Sequence, residues 1–138
     1  MSASEQLIAL VLVAAGGALG ALARYGIVGI LSASPGGDAG GVVWPWGVLI
    51  VNGLGCLAVG MLIGAFGGLE GLSPLWRAAL VTGFLGAFTT FSALAVDMYS
   101  LRAPWLAAGY LALSFALVPL AFFLGWGLAR LVRQGLGG

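Results

Sequence analysis

The chain has 138 residues, 62% of them hydrophobic and 7% charged, and a net charge of +1; its mean hydropathy is +1.15. Soluble domains carry about 25% charged residues, so a water-facing surface is excluded and a lipid-facing one is implied. Histidine is absent and Cys56 is the single cysteine, which removes zinc, haem, disulfide and Cys–His chemistry, while the near-neutral charge gives no nucleic-acid patch.

The length suits one compact four-helix domain over residues 1–138. Four apolar runs approach or exceed the roughly 20 residues needed to span a bilayer. The first runs from about Leu7 to Leu31. It lacks a basic n-region and is long for a signal h-region, so it reads as a retained helix. The connection Ser32 to Gly41 holds Pro35 and several glycines, and the second run extends from about Val43 to Phe66. Ser73-Pro74 reads as an N-cap followed by proline at the first helical position, opening a third run over about Leu75 to Leu101. Pro104 opens the fourth, from about Trp105 to Val132. Tryptophans 44, 46, 76, 105 and 126 fall near the expected helix ends, as an interfacial aromatic belt requires. Arg77, Arg130 and Arg133 fall on one side, Arg24 and Arg102 on the other, which sets orientation only weakly.

Lipid offers helices no hydrophobic reason to associate, so close packing must hold them together. Stripes of mostly small residues recur at four-residue spacing in the first run (Gly16, Gly20, Arg24), the second (Asn52, Cys56, Gly60, Gly64) and the third (Ala79, Gly83, Ala87). Such stripes mark packing faces, and Cys56 reads as part of one. Four short helices enclose little interior, so a homo-oligomer is expected.

Polar side chains inside a span are costly and point to function. They are densest in the third run, at Thr82, Thr89, Thr90, Ser92 and Asp97. Glycines followed by paired β-branched hydroxyl residues make a poor helix centre. A break near Gly86 to Thr89 would free main-chain groups at mid-membrane depth, tolerated only where they bind something or face a protein-lined cavity. A continuous helix, with hydroxyls bonded back to preceding carbonyls, is the alternative.

The segment Gly83 to Ser92, GFLGAFTTFS, resembles the third-helix signature of the Fluc (CrcB-type) fluoride channels. Gly17 to Tyr25, GALGALARY, is similar to that family's first-helix motif, and Val51-Asn52-Gly53-Leu54-Gly55 to its second-helix motif. The resemblance implies an all-α membrane protein of four transmembrane helices with a broken third, paired as an antiparallel, dual-topology homodimer in a bacterial inner membrane. It further implies a passive fluoride channel, not an enzyme, with a structural Na⁺ at the dimer centre held by the backbone carbonyls of Gly86 and Thr89. By position, Phe91 matches a pore phenylalanine, Asn52 the pore asparagine and Arg24 a vestibule arginine. Tyr110 and Ser114 match a hydroxyl track on the fourth helix. With Thr90 and Ser92 these supply neutral donors able to replace the water around a tightly hydrated anion. Three departures stand out: Ala87 replaces a glycine, Leu94 a second pore phenylalanine, and Val118 a further serine.

Two other classes fit four short spans. A proton-coupled drug exporter requires an embedded carboxylate, for which Asp97 is the only candidate. A non-transporting assembly subunit would pass no ion.

Overall fold

The computed structural model describes residues 2–32 and 44–136. Most of the connection expected from Ser32 to Gly41, and the expected start of the second run at Val43, lie outside the described residues. The described residues are largely helical, and four stretches are long and apolar enough to cross a membrane: Ala3–Leu31, Trp46–Phe66, Pro74–Ser100 and Pro104–Gly135.

Helix α1 spans Ala3–Ser32. It starts ahead of Leu7 because Ser2 and Glu5 form a reciprocal cap: the Glu5 amide donates to Ser2 Oγ (3.3 Å) and the Ser2 amide to Glu5 Oε2 (2.7 Å). Helix α2 spans Trp46–Phe66 and ends on Gly67, whose φ of 73° is left-handed and whose amide bonds back to the Ile63 carbonyl. A 3₁₀ turn, Leu69–Gly71, leads to the third crossing. Ser73 caps α3, Pro74–Trp76, by accepting from the Trp76 amide. The last helix, α6, spans Pro104–Leu136 with Pro119 inside it. Trp126 therefore lies ten residues before the end of α6, not at its terminus as the belt pattern had suggested.

Between α3 and α6 the third crossing changes character three times. Arg77–Leu85 is π-helical, Gly86–Phe88 (α4) is α-helical, and a last helix, α5, covers Phe91–Ser100. Thr89 (φ −79°, ψ 152°) and Thr90 (φ −154°, ψ 129°) are both extended.

Backbone proximity, not side-chain bulk, sets the pairing. The most extensive contacts are between α2 and α6, followed by α1 against the π-helical run. A methyl at Gly60 would fall on the Phe122 carbonyl oxygen, and one at Gly125 on that of Leu57, so α2 and α6 meet main chain to main chain. Gly16 and Gly20 of α1 meet the carbonyls of Ala79 and Phe84 in the same way. The buried apolar cluster Val48, Leu49, Leu94, Leu101 and Tyr110 sits where α2, α5 and α6 converge.

Candidate functional site

The extended pair Thr89–Thr90 is held by α2. Asn52, only 8% exposed, accepts from the Thr90 amide at Oδ1 (2.8 Å) and donates from Nδ2 to the Thr90 carbonyl (3.0 Å). One side-chain amide thus pairs with one residue's main chain as a neighbouring β-strand would. Gly55, one turn further along α2, leaves the space that the Thr89 methyl fills.

The end of α4 leaves several carbonyls without helical donors, and these bonds account for two of them. In a continuous helix the Thr90 amide would bond to the Gly86 carbonyl; here it is taken by Asn52. The Ala93 amide would bond to the Thr89 carbonyl; instead it donates to Thr90 Oγ1 (3.3 Å), the N-cap of α5. Gly86 and Thr89 therefore lose the helical donors to their carbonyl oxygens. Hard cations prefer oxygen ligands of this kind, and two oxygens from one chain are too few to enclose one.

Beside the interruption lies a cavity of about 420 Å³, lined by Asn52, Cys56, Gly86, Thr89, Thr90, Phe91, Leu94, Ser114, Phe115 and Val118. Phe91 and Phe115 are 70% and 64% exposed at its mouth, and aromatic ring edges carry partial positive charge. Asn52 Nδ2 has one N–H left after bonding to Thr90. Ser114 is buried, and its hydroxyl donates back to the Tyr110 carbonyl (2.8 Å). Pro119 has no N–H, so the Phe115 carbonyl loses its helical donor on the same stretch of α6.

Of the residues expected at a pore, Asn52, Thr90, Phe91 and Ser114 line this cavity, as do Gly86 and Thr89. Ser92 is exposed, and its hydroxyl bonds with that of Thr90 (3.1 Å). Arg24 is half-buried on α1 and does not line the cavity. Tyr110 is fully buried and stands apart. Its hydroxyl lies 3.0 Å from Asp97 Oδ2 and 3.1 Å from the Pro45 carbonyl oxygen, and its single hydrogen serves one of them at a time. Trp44 packs edge-on against the Tyr110 ring at 5.7 Å. Asp97 is thus tied to a tyrosine at the end of the bundle. Sequence reading missed Phe115 and assigned Cys56 to packing alone. An aromatic directly after Ser114 and four residues before Pro119 was the available signal for the first.

Four helices long and apolar enough to cross a membrane, with a cavity beside Thr89 and Thr90, define a multi-pass membrane protein. The family model for CrcB-like protein, Camphor Resistance (CrcB), matches residues 11–126, and the chain belongs to that family. It is 43% identical over 131 residues to the fluoride-specific ion channel FluC of Nitratidesulfovibrio vulgaris, covering 89% of this chain and 98% of the relative. Identity to the FluC of Chloroflexus aurantiacus is 42% over 121 residues, covering 86% and 92%. With that of Erythrobacter litoralis it is 38% over 135 residues, covering 95% and 98%.

Proposed function

We propose that the protein is a passive, fluoride-selective channel of a bacterial inner membrane, and that the interrupted third crossing forms its ion-handling centre. The observation that carries this reading is the Asn52–Thr90 pairing, which sets released main-chain groups and neutral donors around one cavity. Fluoride loses its hydration only where other donors replace it. The spare Asn52 N–H, the Thr90 hydroxyl and the Phe91 edge offer that replacement without a fixed charge that would trap the ion, and the Ser114 hydroxyl joins them on rotating away from the Tyr110 carbonyl. Ser92 extends the track beside Thr90, Tyr110 braces the end of the bundle through Asp97 and Pro45 rather than meeting the ion, and Arg24 raises anion concentration at a mouth.

The channel works as an antiparallel homodimer inserted both ways round. Support comes from the open side of the cavity: Phe91, Phe115 and Gly86 are exposed in the single chain. The carbonyls of Gly86 and Thr89 would hold a structural Na⁺ together with oxygens from the second copy, and its charge would supply a fixed positive centre between the two chains. The residues of this chain position donors and exclude water.

Hydrogen fluoride enters cells as the neutral acid and dissociates at cytoplasmic pH. The anion then leaves down the membrane potential, worth about 2.3 kcal/mol per charge at 100 mV. Fluoride efflux from liposomes holding the purified protein, with chloride as control, tests the reading. The expected result is fluoride flux with chloride rejected, and a sharp loss in Phe91→Ala and Asn52→Ala. Equal passage of both anions would overturn the selectivity. No flux of either would favour a non-transporting subunit.

A further inference from the structure

A second polar site lies at the opposite end of α2 from Trp46. A cleft of about 290 Å³ is lined by Ile63, Gly64, Gly67 and Gly68 on one side and by Trp126, Arg130 and Arg133 of α6 on the other. The two arginines, three residues apart, face the same way. The Arg130 guanidinium lies 4.6 Å from the centre of the Trp126 ring and is stacked over it. The Arg133 guanidinium occupies the space where a side chain at Gly67 would begin, so the absence of a side chain at this turn is what admits the arginine.

Attraction to the carbonyl ends of α2 and α6 accounts for one arginine near each terminus. It does not account for two guanidinium groups lining one open cleft. Their neighbours locate the cleft relative to the bilayer. Leu131 and Val132, between the two arginines, are 67% and 62% exposed, so this turn carries outward apolar side chains and outward charge together. That mixture belongs at the boundary between hydrocarbon and headgroups, where tryptophan is also enriched. An anion reaching this cleft is one that resides at that depth.

We propose that the Arg130–Arg133 cleft binds the phosphate of an anionic phospholipid headgroup, with the acyl chains lying along the apolar outer face of α6. Glu70 is the opposing group: its Oε2 lies 3.1 Å from the position of a side-chain carbon on Gly68, at the rim of the cleft. Its negative charge beside the cleft repels an anion there. The site is separate from the cavity at Thr89–Thr90, so its failure would leave the channel reading untouched.

The test is native mass spectrometry of the full-length protein, titrated with phosphatidylglycerol or with phosphatidylcholine of the same acyl chains. A basic side chain near an anionic surface strengthens binding roughly fivefold, so phosphatidylglycerol is expected to bind about thirtyfold more tightly than phosphatidylcholine. The double variant Arg130→Gln/Arg133→Gln should fall to the phosphatidylcholine level, and Arg102→Gln, at the other end of the bundle, should change nothing. Glu70→Gln should move the other way, towards tighter phosphatidylglycerol binding, a gain that misfolding cannot produce. Equal binding of the two lipids by the unaltered protein overturns the proposal. So does full displacement of phosphatidylglycerol by millimolar inorganic phosphate, which would mark a site for free anions.

Discussion

Asn52 spends two of its hydrogen-bonding groups on the main chain of Thr90, and a substitution there acts on shape before it acts on any ion. Asn52→Leu strands a part-buried amide and carbonyl, each costing about 1–3 kcal/mol when unsatisfied. Thermal unfolding in detergent should register that loss together with the loss of flux. Asn52→Asp keeps the acceptor for the Thr90 amide but sets a carboxylate oxygen against the Thr90 carbonyl, so it should fold less stably than the native protein. Val118 lines the cavity one helical turn beyond Ser114. Val118→Ser adds a donor there, and fluoride efflux should rise roughly two- to tenfold, the value of one net hydrogen bond. At this scale the sequence was informative where a polar side chain stood in an apolar span, as at Asn52, Thr90 and Ser114. It was silent at Phe115 and Cys56, because an apolar or small side chain facing a cavity has the same composition as one facing a neighbour. Tyr110 shows a third limit. Spacing of four puts it on one face with Ser114, but a helical side chain leans towards its own N-terminus. The long ring therefore reaches back to Pro45 and Asp97, leaving the cavity.

The glycine stripes read from four-residue spacing meet as backbone seams, and their neighbours now say which glycines matter. Gly60→Ala places a methyl on the Phe122 carbonyl and should destabilise the protein by about 1–3 kcal/mol through overpacking. Nothing lies within 4 Å of a side-chain carbon at Gly109. Gly109→Ala should be neutral or stabilising by up to about 1 kcal/mol, as helical propensity alone dictates. Unfolding the two variants side by side separates packing from propensity. The third crossing was harder to read. Its glycines drew attention to Gly86, yet Gly86 is right-handed helical (φ −64°, ψ −35°), and the chain leaves the helix at Thr89 and Thr90. Glycine permits a departure but does not require one. The departure is completed by Asn52, 38 residues earlier, and local sequence carries no record of that partner. The reciprocal cap of Ser2 and Glu5 was legible, and it carries α1 beyond the apolar run that begins at Leu7.

The single chain leaves much of its apolar surface outward, with Phe91, Phe115, Phe123 and Leu131 among its most exposed large side chains. Lipid covers most of that surface, but the released carbonyls of Gly86 and Thr89 need a polar partner. If a second copy and Na⁺ complete them, replacing sodium with a large organic cation should slow fluoride efflux and lower the unfolding temperature of the native protein. Tagged termini should then report both orientations in comparable amounts; a uniform orientation would contradict the antiparallel pair. The interruption also bears on how the chain enters the membrane. Phe91–Ser100 has ten residues, about 15 Å of helix at 1.5 Å per residue, half the thickness of a hydrocarbon core of about 30 Å. Alone, this piece could neither be recognised by the insertion machinery nor remain across the bilayer. It must be threaded in as the tail of one continuous apolar stretch beginning at Pro74, and bend only once α2 is beside it.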